Sequence, residues 1–300
     1  MPSPRGAVSP ALPGNGQLTY RFAPPGDRAV NQTEDIPAMT RLPPFPRIAA
    51  AFATLLAFPA FGDTIATDRP DFVESSNVVG AGRWQIETSV AYEHDSAEGV
   101  DTRTWATPTL LRIGLGDYWE LRAETDGFLS QDTGDRGFDD QEDGFADTAL
   151  GLKWHIPGSE QSGPSLGVLF HVDLDSGSEA FQGEGLRPSI RVVAEWEIGE
   201  NMSFGLMPGL VSDKDDNGER FTAGILGAVL GYSLNERLRV FGELAAEQIA
   251  SGSHGGDVLN FDVGTAWLLS DDAQLDAAAS FGLTDETPEW AVTLGYSIRF

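Results

Sequence analysis

Residues 289–300 read EWAVTLGYSIRF and alternate without interruption. Trp290, Val292, Leu294, Tyr296, Ile298 and Phe300 fall on one face. Glu289, Ala291, Thr293, Gly295, Ser297 and Arg299 fall on the other. Successive side chains of a β-strand point to opposite faces, so this stretch makes a strand with one apolar face and one polar or small face. In a soluble sheet the apolar face packs on a core. In a membrane barrel it meets lipid, with aromatics at both interfaces.

Working back from this strand, the same alternation recurs through most of the chain. Trp84, Ile86, Thr88, Val90 and Tyr92 oppose Gln85, Glu87, Ser89, Ala91 and Glu93. Trp119 and Leu121 oppose Glu120, Arg122, Glu124 and Asp126. Leu150, Leu152, Trp154 and Ile156 oppose Asp147, Lys153 and His155. Ile190, Val192, Ala194, Trp196 and Ile198 oppose Arg187, Arg191, Glu195 and Glu197. The pattern blurs over residues 202–211 and 221–234, where glycine and leucine occupy both faces. The alternating segments number about twelve, an even count as a single-chain barrel requires. Their links alternate in length. Gly116–Asp117, Pro157–Gly163, Gly199–Asn201, Asn235–Glu236 and Ser270–Asp272 are mostly tight, whereas Asp95–Asp101, Gln131–Glu142, Ser176–Leu186, Ser212–Glu219, Ser251–Gly256 and Thr284–Pro288 are mostly longer and several are acidic. Short turns at one rim and long loops at the other are a barrel's signature, and a soluble sandwich has no reason to show them. The expected fold is all-β, a transmembrane antiparallel up-and-down β-barrel of about twelve strands.

Composition agrees. Hydrophobic content is 41%, low for a helical membrane protein but sufficient where only alternate residues face lipid. The absence of cysteine argues against a disulfide scaffold, a thiol nucleophile and thiolate metal sites. A net charge of −27 argues against a nucleic-acid partner, which needs a basic footprint.

The N-terminus divides in two. Residues 1–38 are rich in proline and glycine and lack periodicity, as a disordered leader or a stretch upstream of the true start would be. Residues 39–62 carry Arg41 and Arg47, then an apolar run from Ile48 to Phe58, then Ala60 and Gly62 at the small positions before a cut at Asp63. This is a secretory signal pattern, too short for a spanning helix. Residues 63–81 form a segment that folds into the barrel as a plug or stays as a periplasmic tether, and residues 82–300 form the barrel. Asp68, Arg69 and Asp71 carry both signs of charge for pairing with lumen groups.

The opening TDRPDFVESSNVVGAGRWQIETSVAYE, with RIGLGDYWELRAETDGF and GFADTALGLKW further on, resembles the bacterial transporter family of the phenol meta-degradation pathway. The resemblance runs from Thr67 to Phe300. It implies an outer-membrane barrel of a Gram-negative bacterium that transports small, often hydrophobic or aromatic compounds. It implies no defined site residues and no substrate.

Charges face hydrocarbon only at high cost, so their phase marks the lumen side. Arg112, Glu120, Arg122, Glu124, Asp126, Arg187, Arg191, Arg237, Arg239 and Glu243 are the lumen-lining candidates. They line a solute path and set its charge preference, or they pair across strands and fill the barrel. Leu115 and Trp119 facing lipid with Arg112 and Glu120 facing inward require an odd link between them. A three-residue link Leu115–Asp117 sets Arg112 opposite Glu120, with Gly116 free to take a positive φ.

No catalytic, cofactor or metal site is expected. His155 and His171 face the lumen but neither adjoins a nucleophile motif. The acidic stretches at 138–143 and 212–219 read as solvated loops, with weak binding of calcium or of divalent ions bridging lipopolysaccharide as the alternative. The second resembles part of a calcium loop in composition but lacks the following ligands and terminal glutamate of an EF-hand. The expected partners are outer-membrane lipid and lipopolysaccharide, a small-molecule substrate, and the outer-membrane assembly machinery, which recognises a terminal aromatic such as Phe300. Passive passage through the barrel is the expected function. The alternatives are a structural or surface-interaction barrel with a filled lumen, and a lipid-modifying barrel enzyme.

Overall fold

The computed structural model describes residues 64–300 except 98, 136–137, 159–162 and 216–217. The export signal and leader expected over residues 1–62 lie outside the described residues. Fifteen strand segments follow one another: β1 (Trp84–Ala97), β2 (Val100–Ala106), β3 (Thr109–Gly114), β4 (Trp119–Thr125), β5 (Phe128–Asp135), β6 (Phe138–Phe145), β7 (Thr148–Ile156), β8 (Ser165–Asp173), β9 (Arg187–Ile198), β10 (Met202–Lys214), β11 (Arg220–Asn235), β12 (Leu238–Ile249), β13 (Val258–Ser270), β14 (Ala273–Gly282) and β15 (Trp290–Arg299). All pairings are antiparallel, and β15 returns to β1 in register from Gln85↔Arg299 to His94↔Trp290.

Three wall strands are each broken once. β2 and β3 both pair with β1, β4 and β5 pair with β3 and β2, and β7 and β6 pair with β4 and β5. Counted as wall strands, the segments make a closed antiparallel barrel of twelve, as the alternation implied. The breaks sit side by side at 107–108, 126–127 and 146–147. Pro108 has no N–H for the ladder, and Gly127 takes a φ of +71° with its backbone against Thr107 O. Local bonds bridge the breaks: Phe128 N donates to Thr107 Oγ1 at 2.8 Å and Ala146 N to Gly127 O at 2.9 Å.

The long links differ from expectation. The stretch 131–142 is largely strand, with Gln131 paired to Glu142 and Asp132 to Gln141, and β1 runs on to Ala97. A ladder that rises past the rim has no face that must be apolar, so its residues carry no alternation to read. The link between β3 and β4 is odd and three residues long, but shifted by one. Leu115 N donates to Trp119 O at 2.8 Å, and Gly116 within the turn has a φ of +151°. The shift places Arg112 opposite Arg122 rather than Glu120, which pairs with Gly114.

The distribution of polarity is inverted relative to a soluble domain. Arg112, Glu120, Lys153, Glu87 and Asp262 are buried on the inner face, while Leu294, Leu150, Leu244 and Trp267 are more than half exposed on the outer face. Aromatics cluster outward at both rims, Trp84, Trp119 and Trp154 near the short turns and Trp105, Phe128, Phe145 and Trp290 near the long loops. The blurred stretches are β10 and β11. Their inner residues Met207, Val211, Ile225 and Val229 are apolar because they pack on Phe72 and Val73, which lie inside the barrel.

Candidate functional site

The lumen is occupied by residues 64–83. An irregular segment inside a barrel has backbone groups that no ladder satisfies, and each needs a partner. Wall carboxylates meet its N–H groups. Glu87 accepts from Asp68 N at 2.9 Å, Glu243 from Phe72 N and Val73 N at 2.7 Å each, Glu195 from Ser76 N at 2.6 Å and Glu120 from Val79 N at 2.9 Å. Wall donors meet its carbonyls. Arg112 donates to Ala66 O and Asn77 O, and Lys153 to Ser75 O, all at 2.8 Å. His155 Nδ1 lies 2.8 Å from Ser76 O. The segment enters and leaves at the short-turn rim, where Ile65 N donates to Asp271 O and Gly82 N to Gly114 O.

Its own carboxylates recur every third residue as Asp68, Asp71 and Glu74, and each finds a cation. Asp68 pairs with Lys153 at 2.8 Å, with Arg112 at 3.4 Å, and with Arg122. Asp71 takes both terminal nitrogens of Arg239, at 3.0 and 2.6 Å. Glu74 bridges Arg122 at 2.9 Å and Arg191 at 3.0 Å. Burial pushes the Asp68 carboxyl up, but Arg112, Lys153 and Arg122 together hold it well below the usual carboxylate range. Glu74 is likewise opposed by burial and is held down to about 2 by Arg122, Lys153 and Arg191. Arg112 and Arg122 tolerate facing each other because Glu120 Oε1 lies between them, at 2.8 Å from one and 3.2 Å from the other.

Most of the candidates read from the sequence are distributed around this segment. Arg112, Glu120 and Arg122 surround Asp68, and Glu124 stands 3.7 Å from Arg122. Arg191, Arg239 and Glu243 hold successive parts of the segment. Asp126 is buried at a strand break. Arg187 lies apart, bonded at 2.6 Å to Asp147, which also accepts from Ser176, Gly177 and Gly183 N–H groups. That cluster anchors the loop between β8 and β9, whose Phe181 packs inside against Ala91, Ala106 and Leu129. Arg237 lies at the short-turn rim of the lumen. It sits in the short turn before β12, is exposed, and with Arg239 borders a cavity at that rim.

Glu87, Lys153, Glu195, Asp68, Asp71 and Glu74 were not among the lumen candidates. The inward phase of Glu87, Lys153 and Glu195 was the available signal, and the three-residue spacing of Asp68, Asp71 and Glu74 was another. His171 accepts at Nε2 from Arg122 Nε at 3.1 Å and serves to hold that guanidinium. Between the segment and β9–β12 a cavity of about 470 Å³ remains, bounded by Glu195, Glu197, Asn201, Glu236, Arg237 and Arg239, toward the short-turn rim.

A family model described as "Putative MetA-pathway of phenol degradation" matches residues 67–300. No curated protein sequence matches the chain. Among solved structures, an outer membrane channel from Pseudomonas putida F1 is similar over 75% of this chain and 98% of its own, at 14% identity and a TM-score of 0.57. The NanC porin aligns over 71% of this chain and 98% of its own, at 12% identity and a TM-score of 0.47. The CymD monoaromatic hydrocarbon channel aligns over 73% and 88%, at 8% identity and a TM-score of 0.39. At these identities the likeness is one of fold.

Proposed function

The chain belongs to this phenol-degradation family, and from that premise we propose that it is an outer-membrane channel through which a small hydrophobic or aromatic molecule passes without an energy source. The observation that carries this reading is the inverted barrel. A contiguous apolar belt bounded by aromatics at both rims has no place on a soluble monomer, whose exposed apolar patches rarely exceed a few hundred Å², and it matches what a bilayer asks of a strand-built span. No helix among the described residues is long and apolar enough to cross a membrane.

The charged inner face and the cavity at the short-turn rim support a path for solute. The segment 64–83 blocks that path, and its docking acts as the gate. Its buried ion pairs equally favour a second reading, a structural barrel whose lumen is permanently filled. One experiment separates them. Purified protein in liposomes is assayed for conductance and for uptake of small aromatic solutes, beside a variant lacking residues 64–79. The channel reading expects solute-dependent flux in the intact protein and larger conductance in the variant. An intact protein that passes nothing supports the filled barrel.

A further inference from the structure

Toward the long loops, the inner wall carries an apolar patch beside polar rows. Register brings Ala91, Ala106, Leu129 and Gly144 side by side across adjacent wall strands. Ala146 lies next to them, where the wall is broken. The next inward row toward the loops is polar: Glu93, Thr104, Gln131 and Glu142, with Gln131 Nε2 donating to Thr104 Oγ1 at 3.2 Å. Alanine and glycine leave a hollow in the wall that larger side chains would fill. Phe181 occupies that hollow. Its ring packs on Ala91, Ala106, Leu129 and Ala146 and is only 3% exposed. A Cβ on Gly144 would lie 2.9 Å from Phe181 Cδ2, so the ring's fit depends on that glycine.

Phe181 comes from the loop 174–186, which folds inward between β8 and β9 and is otherwise held by polar contacts. Asp147 accepts from Ser176 N, Gly177 N and Gly183 N at 2.9, 2.7 and 2.8 Å. Ser178 N donates to Phe145 O at 2.8 Å, and Phe145 N donates to Ser178 Oγ at 2.9 Å. Glu179, Gln182, Glu184 and Leu186 point to solvent, so Phe181 and Ala180 supply the loop's apolar hold on this patch. Water replaces the N–H partners when the loop lifts, and such exchanges are worth little net. The burial of one ring is therefore the main thing lost on lifting. A ring arriving from outside returns the same burial to the same niche. Alanine and leucine side chains offer nothing to a charged group, so the niche suits an uncharged ring.

We propose that the loop 174–186 is a lid over the long-loop mouth, and that the niche under Phe181 binds the uncharged aromatic ring of a small solute, which displaces Phe181 and lifts the lid. The inference rests on the channel reading for why a solute enters the lumen. It adds to that reading a binding site and a second gate, at the mouth opposite the one where the segment 64–83 enters.

The full-length protein in detergent is dialysed to equilibrium against radiolabelled benzyl alcohol, beside a protein-free detergent blank, with labelled sodium benzoate as comparator. Saturable binding of benzyl alcohol is expected, with benzoate at least tenfold weaker. Phe181→Ala vacates the niche and should bind the alcohol at least tenfold more tightly than wild type. Adding Ala106→Phe to that variant refills the hollow from the wall and should abolish the gain. Asp147→Asn keeps the ring, loosens the lid and should tighten binding severalfold. Glu179→Gln removes an exposed charge on the loop and should change nothing. A cavity left by truncation takes up a ring even beneath a static loop, so hydrogen exchange on the wild type carries the displacement claim. Saturating benzyl alcohol should accelerate exchange of the Gly177 and Gly183 amides at least tenfold and leave the Phe72 and Val73 amides unchanged. Heat-modifiable migration reports folding of each variant, and if Phe181→Ala does not fold, wild type and Asp147→Asn decide. Exchange unchanged at saturation, benzoate bound as tightly as the alcohol, equal affinity in wild type and Phe181→Ala, or a double variant that binds like Phe181→Ala overturns the proposal. Ring binding that persists in protein whose liposomes pass no solute refutes the channel reading alone. Solute flux without saturable ring binding refutes the niche alone.

Discussion

Lys153 Nζ donates to both carboxylate oxygens of Asp68, at 2.9 and 2.8 Å, across 85 residues of sequence. The pair ties the lumen segment to the middle of β7, and Arg112 and Arg122 complete the cage around the same carboxylate. Removing one partner of a buried pair strands the rest and costs about 3–5 kcal/mol. Asp68→Ala is therefore expected to undock the segment while the wall, held by its own ladders, stays closed. Hydrogen exchange at the Phe72 and Val73 amides should accelerate by at least a hundredfold, with heat-modifiable migration unchanged. Native-like protection of both amides would show that the cage does not hold the segment.

The acid dependence of docking follows from the same carboxylates. Asp68 and Glu74 are both held below their ordinary values of about 3.9 and 4.3, Glu74 at about 2. A group whose pKa is depressed on docking stabilises the docked state above its free value, and that contribution fades as pH falls toward the docked value. The difference in docking between wild type and Glu74→Gln is expected to stay flat from pH 7 to pH 5 and to shrink below about pH 4. Exchange or conductance measured along this pH range checks it. A difference that already shrinks between pH 7 and pH 5 would contradict the assignment.

The absence of a side chain at Gly227 lets the segment pack against the wall. A Cβ on Gly227 would lie 2.6 Å from Val73 Cγ2 and 2.9 Å from Phe72 Cδ1, whereas one on Gly242 would meet nothing within 4 Å. Overpacking of this kind costs about 1–3 kcal/mol. Gly227→Val should raise conductance through partial displacement of the segment, and Gly242→Ala should leave it unchanged. Equal conductance in both variants would mean that the apolar contact of Phe72 and Val73 does not limit passage.

What sequence alone revealed was the wall. Charges such as Arg112 and Glu120 betray the inner phase because lipid excludes them, and residues such as Leu294 and Trp105 betray the outer phase. The alternation failed where two hydrophobic demands met. Met207 and Val229 face inward yet are apolar, since their neighbour is a buried piece of the same chain. The occupant itself was half legible. Asp68, Arg69 and Asp71 were recognised as able to pair, but an irregular segment has no period from which to read its depth. The register error at Gly116 was a matter of one residue in a turn, where periodicity fixes parity and leaves the pairing open.

The seam closes on an aromatic stack. Trp84 and Phe300 lie 4.1 Å apart at an interplanar angle of 15°, and their backbones exchange hydrogen bonds of 3.2 and 2.8 Å. Such a cross-strand aromatic pair contributes about 0.2–1 kcal/mol, which is small beside a ladder that runs from Gln85 to His94. A loss of that size should hardly unfold a finished barrel. A terminal aromatic on an amphipathic last strand is also the feature we expect the outer-membrane assembly machinery to recognise. Deleting Phe300 should therefore lower the folded fraction in cell membranes severalfold, while protein refolded in detergent keeps a denaturation midpoint close to wild type. Phe300→Tyr preserves the ring and should restore the membrane yield. If deletion lowers the refolded midpoint as much as the cellular yield, Phe300 acts at the seam and its role in assembly falls away.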